Sequence, residues 1–116
     1  MASRLRPVLP IDAAAPMFAA LGDATRLRNV EQLRRGGPQS IARLTDGTPL
    51  TRQAVTKHLR VLETVRLVHS ERSGRERLWG LRPRRLERLN RYLAEFSGHW
   101  DAALGRLQRM VEDEPR

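Results

Sequence analysis

No cysteine occurs among the 116 residues, which removes disulfides, Cys-based zinc sites, iron–sulfur clusters and thiol redox sensing together. Nowhere do 18 apolar residues run consecutively, and Met1–Pro10 has no long apolar core followed by a cleavage site. A membrane-spanning or secreted chain is therefore not expected, and the cytoplasm is the default. Enzyme signatures are missing as well: there is no Gly-rich phosphate loop, no Ser/His/Asp order behind a nucleophile motif, and no pair of carboxylates framing an apolar pocket. Neither catalysis nor a cofactor is expected. Acid is scarce, with 13 Asp and Glu against 22 Lys and Arg, a formal charge of +9. Lys57 is the single lysine, so the base is almost wholly arginine.

What is present is 40% apolar residues, too many for a disordered chain of this charge and enough for one small domain. Its core must be modest at this length, and a partner chain would help it. The charge is concentrated: 12 of the basic residues lie between Arg52 and Arg91 against four acids, Glu63, Glu71, Glu76 and Glu87. Nearly all of the net charge thus sits in about a third of the chain. That concentration points to a polyanion, and to nucleic acid before membrane, because no basic amphipathic anchor stands alone.

Residues 1–11 lack periodicity and hold Pro7 and Pro10, which predicts a loose tail ahead of a folded unit over 12–112. Ala14–Leu21 is a short helix candidate with Pro16 near its first turn. Asp23 caps a second helix, in which Leu27, Val30 and Leu33 recur until Gly36-Gly37-Pro38 stops the run. Ser40 caps a third, short helix with Ile41 and Leu44. After the turn Asp46-Gly47-Thr48-Pro49, Thr51 caps a fourth, where Val55, Leu59 and Leu62 keep helical spacing. Leu67–Arg72 and Arg75–Leu81 read as strands about a Ser73-Gly74 turn. Pro83 opens the longest run, with Leu86, Leu89, Leu93, Phe96, Trp100, Leu104, Leu107 and Val111 spaced at three or four. The order predicts a mainly α fold with a two-stranded β wing: a winged helix-turn-helix, dimeric through its terminal helices.

On a wheel of the helix begun by Thr51, Arg52, Gln53, Thr56, Lys57 and Arg60 fall within an arc of roughly 140°. Val55, Leu59, Val61 and Leu62 take the other side. One face can pack while the other offers forked, amide and hydroxyl groups to a major groove: Arg to guanine, Gln to adenine, Thr to a base or a thymine methyl. A short helix and a turn before it match the geometry in which the second helix of such a pair enters the groove.

Ala19 with Leu21-Gly22-Asp23-Ala24-Thr25-Arg26-Leu27, Gln53-Ala54-Val55-Thr56-Lys57-His58-Leu59-Arg60-Val61-Leu62-Glu63, and Ser73-Gly74-Arg75-Glu76-Arg77-Leu78-Trp79 resemble the ArsR-type (ArsR/SmtB) transcriptional repressors, in family order and from about Ala14 to Leu107. The resemblance implies a homodimeric repressor on palindromic operator DNA, often released by an effector, with Thr51–Arg60 as recognition helix and Arg72–Arg77 as wing. The expected contacts to double-stranded DNA are Ser40, Thr51, Arg52, Gln53, Thr56, Lys57, Arg60, Arg72, Arg75 and Arg77. Metal-sensing members carry a Cys motif on the short helix before the turn, or paired Asp/His ligands on the last helix. Here Gln39–Leu44 has no thiol and the last helix offers only His99 and Asp101, so no metal site is expected. The effector, small molecule or metal, is unassigned. Arg66 stands where the family usually has a glycine, and Asp46–Pro49 lengthens the turn.

Among the histidines, His58 is expected to be a buried, hydrogen-bonded core residue, and His69 to be partly exposed on the first wing strand. His99 carries no site by itself. Strand alternation sets Arg75 and Arg77 on one side of the wing, with Arg75 near the tip in reach of a phosphate or a minor groove. The last helix would span on the order of 45 Å. Its apolar residues Phe96, Trp100, Leu104, Leu107 and Val111 extend beyond what a small domain buries, which predicts a two-fold interface completed by Phe18 on the first helix. Two other readings stay open: a winged-helix module whose polar face binds protein, and a metal-dependent sensor without Cys ligands.

Overall fold

The computed structural model describes residues 9–113. Five helices and three strands follow one another as α1 (Ile11–Leu21), α2 (Ala24–Gly36), β1 (Gln39–Ser40), α3 (Ile41–Thr45), α4 (Arg52–Thr64), β2 (Val68–Ser73), β3 (Glu76–Leu81) and α5 (Pro83–Glu112). Of the expected tail, residues 1–8 lie outside the described residues. Leu9 is buried in the core and Ile11 already opens α1, three residues before the predicted start. Pro10 caps that helix through its carbonyl, which accepts from Ala13 and Ala14 N–H at 3.0 and 2.9 Å. Pro16 consequently lies in the second turn, where it removes one helical hydrogen bond.

The caps act as their residue types dictate. Asp23 accepts from Arg26 N–H at 3.0 Å, Ser40 from Arg43 N–H at 3.2 Å and Thr51 from Ala54 N–H at 3.0 Å. The Arg26 backbone N–H holds the Asp23 carboxyl below its ordinary range. Arg26 Nε also donates to Ala20 O at 2.7 Å, fastening α2 to the end of α1. Leu33 is buried, whereas Leu27 is 52% exposed; it stands about 120° from Leu33 around the helix. The inward position is taken instead by Asn29.

Two residues add a strand to the expected hairpin. Gln39 and Ser40 pair antiparallel with Trp79 and Leu78, giving a sheet ordered β1-β3-β2. Gln39 Nε2 donates to Gln32 O at 2.7 Å and Gly37 O at 3.1 Å, tying this edge to α2. The hairpin turn is Gly74-Arg75, one residue later than predicted, with Ser73 opposite Glu76 and Arg72 opposite Arg77. Gly74 has φ of +63°, as the first central residue of such a turn requires. Arg75 is therefore a tip residue and does not share a strand face with Arg77.

Behind the sheet, Val55, Leu59 and Leu62 of α4 meet Leu44, Leu67 and Trp79 in the core. Past Thr64 the chain turns through Arg66 at φ +63°, with Leu67 N–H bonded to Leu62 O and Arg66 N–H to Glu63 O at 3.0 and 2.9 Å. This is the six-to-one and five-to-two pattern that glycine normally closes. Arg66→Gly is expected to raise stability by about 1 kcal/mol, read as a higher urea midpoint at constant slope. A lower midpoint would mean that the arginine side chain holds the turn in place.

Leu86 and Leu89 lay the first part of α5 on the core, and Tyr92 meets Phe18 of α1 with ring centroids 5.9 Å apart. Among the described side chains from Leu93 onward, none is buried. The helix projects as a bare lever: the radius of gyration is 19.4 Å, against about 13 Å for a compact chain of this length. Among the described residues no helix is long and apolar enough to cross a membrane.

Candidate nucleic-acid interface

Arg52 and Gln53 form the exposed first turn of α4, just after the Thr51 cap. That turn holds no acid, so the positive end of the helix dipole and the Arg52 guanidinium act together on anything bound there. Lys57 is exposed one turn further on. Thr56 is half-buried and its hydroxyl donates to Arg52 O at 2.8 Å. Its proton is thus taken, leaving the oxygen's lone pairs and the methyl group for a base edge.

Arg60 is exposed, on the face where the wheel puts it. Its guanidinium lies 5.9 Å from the centre of the Trp79 ring and 3.5 Å from Glu63 Oε1. The arginine leans across the root of the hairpin, joining α4 to β3, while the head of α4 carries the free groups. Ser40, also half-buried, is engaged as the α3 cap and as the β1 partner of Leu78; its hydroxyl proton remains available.

On the wing, Arg72, Arg75 and Arg77 are all exposed. Arg77 Nη1 donates to Ser70 Oγ at 2.9 Å, which holds it over β2. Arg72 and Arg77 face each other directly across the ladder, a like-charge pairing that is unfavourable alone and relieved by an anion between them. Within the stretch from Arg52 to Arg91, Arg60–Glu63 is the one Arg or Lys ion pair with a carboxylate among the described residues. The rest of the basic surface is left uncompensated.

His58 is not a core residue. Its side chain is 27% exposed, with Nδ1 3.4 Å from Arg26 Nη1 and 3.8 Å from Asp23 Oδ2. It bridges α4 to the cap of α2, because the inner face of α4 is already filled by leucines and Val55. His69 is half-buried on β2, as expected. Among the described residues no group of three or more His, Cys, Asp or Glu could hold a metal ion.

The predicted apolar stripe on α5 lies open: Phe96, Trp100, Leu104, Leu107 and Val111 are 48 to 64% exposed. Met110, 70% exposed, belongs to the same face. Its place three residues after Leu107 was the signal for it. Phe18 is half-buried against Tyr92, so it supports the helix that bears the stripe more than it extends the open face.

A family profile described as a helix-turn-helix domain matches residues 21–71. The HTH-type transcriptional regulator Rv2034 of Mycobacterium tuberculosis is 37% identical over 97 residues, which cover 84% of this chain and 87% of that protein. Among solved structures, an ArsR-like transcriptional regulator from Rhodococcus sp. RHA1 superposes with a TM-score of 0.75 at 33% identity, over 89% of this chain and 96% of that one. The homodimeric winged helix-turn-helix DNA-binding domain of Mb0332 from Mycobacterium bovis has the same fold, with a TM-score of 0.60 at 21% identity over 78% of this chain and 81% of that one. With its capped helices, three-stranded wing sheet and exposed arginine-rich edge, the chain belongs to the ArsR-type winged helix-turn-helix transcriptional regulators.

Proposed function

We propose that the protein is a homodimeric repressor acting in the cytoplasm on a two-fold-symmetric operator. Gln53 and Arg52 at the head of α4 reach base edges in the major groove, with Thr56 beside them. Thr51, Lys57, Ser40 and the wing arginines Arg72, Arg75 and Arg77 hold phosphates and set the register. Arg60, exposed on the same face, contacts the duplex as well, its guanidinium lying near Glu63 and the Trp79 ring. The observation that carries this reading is an acid-free, exposed helix head beside a hairpin tipped with arginine. Two copies joined along α5 present two such heads related by the dimer axis, and the operator repeats that symmetry. Occupying a promoter in this way blocks transcription without any chemistry, and no enzymatic role is assigned.

Selection of binding sites from random duplexes with the purified protein, followed by titration at several salt concentrations, tests the proposal. Affinity is expected to fall steeply with salt, because each phosphate neutralised releases counterions. Arg75→Ala at the wing tip is expected to weaken binding on all sequences about equally and to lower the log–log salt slope by about 1. A flat salt response in the parent protein would favour a protein-binding module and end the DNA reading.

A further inference from the structure

Six of the 12 basic residues between Arg52 and Arg91 lie away from the head of α4 and the wing tip. Arg66, Arg82, Arg84, Arg85, Arg88 and Arg91 line a cleft of about 430 Å³ at the start of α5, with Glu87 as its one acid. Arg82 N–H donates to Leu67 O at 2.9 Å, which sets the Arg66 turn beside the first residues of α5. Arg84, Arg88 and Arg91 are exposed and follow at spacings of four and three, so they share one face of that helix. Arg85 is half-buried beside them. None of these arginines makes an ion pair among the described residues. Like charges gathered in one cleft repel one another, and an anion seated among them removes that repulsion. Arg66 adds backbone strain, since its φ of +63° suits glycine.

The cleft stands at the far end of both elements assigned to the operator. The 13 residues of α4 separate the Arg52-Gln53 head from the Arg66 turn by about 20 Å. The six residues of β3 separate the Gly74-Arg75 tip from Arg82, again by about 20 Å. A major groove is only about 8.5 Å deep, so a duplex that takes the head and the tip leaves the cleft outside. The lining is arginine and one carboxylate. No aromatic ring, aliphatic residue or amide is present there to recognise the body of a small molecule or the side chains of a peptide. Guanidinium forks match phosphate oxygens, and a phosphodiester strand asks for nothing else.

We infer that the cleft holds the phosphate backbone of a second DNA segment, so that the homodimer bridges two duplexes, one read by its α4 heads and one held by its arginine clefts. The inference rests on the operator reading of α4. The second contact has no base readout, so it is independent of sequence. Its own affinity lies in the non-specific range, on the order of 10⁻⁴–10⁻⁶ M at physiological salt. It takes effect where DNA is already concentrated around a bound operator.

The test anchors the selected operator duplex on beads, cut to the length of the protected site, adds the full chain, and offers a labelled duplex of unrelated sequence at micromolar concentration. The parent protein is expected to retain the labelled duplex, and retention to fall steeply with salt. The triple variant Arg84→Gln, Arg88→Gln, Arg91→Gln exchanges three exposed arginines for another good helix former. It is expected to lower retention about tenfold or more and the log–log salt slope of retention by about 3. Its operator affinity on the short duplex should stay within about twofold of the parent, which also verifies that it folds. Labelled polyglutamate replaces the second duplex in a parallel arm and is expected to be held far more weakly. No retention by the parent, undiminished retention by the triple variant, polyglutamate held as well as DNA, or operator affinity lost as fully as retention each overturns the inference. A parent that binds no selected duplex refutes the operator reading and the bridge with it. One that holds the operator and no second duplex refutes the bridge alone.

Discussion

Replacing Leu104 by glutamate is expected to leave the protein monomeric at micromolar concentration and to weaken operator binding by about two to four orders of magnitude, the avidity that a second linked site supplies. Leu104 lies mid-stripe between Trp100 and Leu107, half exposed in the single chain. Nothing within the protomer depends on it, so the fold should survive, which far-ultraviolet circular dichroism can verify. Within a two-fold interface each substitution occurs twice, on both sides of the axis. A carboxylate enclosed there without a partner costs about 3–5 kcal/mol. Two of them exceed what the remaining apolar contacts recover once the loss of translational and rotational freedom is counted. A monomer then holds one half-site, and the local concentration that bound the second head is gone. Light scattering gives the assembly state, and titration on full and half-site duplexes gives the affinities. Half-site binding should be nearly unchanged. A monomeric parent at the same concentration would sink the interface, whatever the variant does.

Much of the architecture was legible because it is local. Asp23, Ser40 and Thr51 cap their helices through bonds that span three residues, and Val55, Leu59 and Leu62 define the inner face of α4 by spacing alone. The left-handed residue at Arg66 was pointed to only by the family resemblance, which has a glycine at that place. What escaped depends on distant partners. Gln39-Ser40 carries no strand period, and β1 exists only because Leu78 and Trp79 come alongside. Leu9 lies outside any periodic run, yet a core position fixes it and lets α1 begin early. The hairpin turn was misplaced by a single residue, enough to take Arg75, expected near the tip, off the strand face it was to share with Arg77.

The candidate site divides in the same manner. A wheel assigns a side chain's azimuth but not its reach, so Arg52, Gln53, Lys57 and Arg60 all stayed on the open face, while only the structure shows the Arg60 guanidinium 3.5 Å from Glu63 Oε1 and 5.9 Å from the centre of the Trp79 ring. His58 lay beside apolar positions on the wheel, but the gap it fills is bounded by Asp23 and Arg26 of another helix. Asn29 breaks the apolar pattern of α2, and only the tertiary structure reveals that it is both buried and unpaired.

Gln53→Ala is expected to cost roughly 1–3 kcal/mol on the selected operator, a loss of about 5- to 150-fold, and very little on scrambled duplex. The side chain leaves the first turn of α4 next to the Thr51 cap, where the cap hydroxyl is bonded to Ala54 N–H. Gln53 itself is exposed. Its amide both donates and accepts, the pattern adenine presents in the major groove, so its removal is felt only where that base is present. Alanine is the better helix former, which keeps the change from acting through a frayed α4. Thr56→Ala is expected to follow the same pattern more weakly, because its hydroxyl proton is already given to Arg52 O and only an acceptor and a methyl group remain. Arg75→Ala provides the contrast, with equal losses on both duplexes, since a phosphate carries no sequence information. Paired titrations of the three variants on operator and scrambled duplex, at one salt concentration, separate the roles. Equal losses on both duplexes for Gln53→Ala would make it a residue that positions α4, and would leave Arg52 as the base reader at the head of the helix.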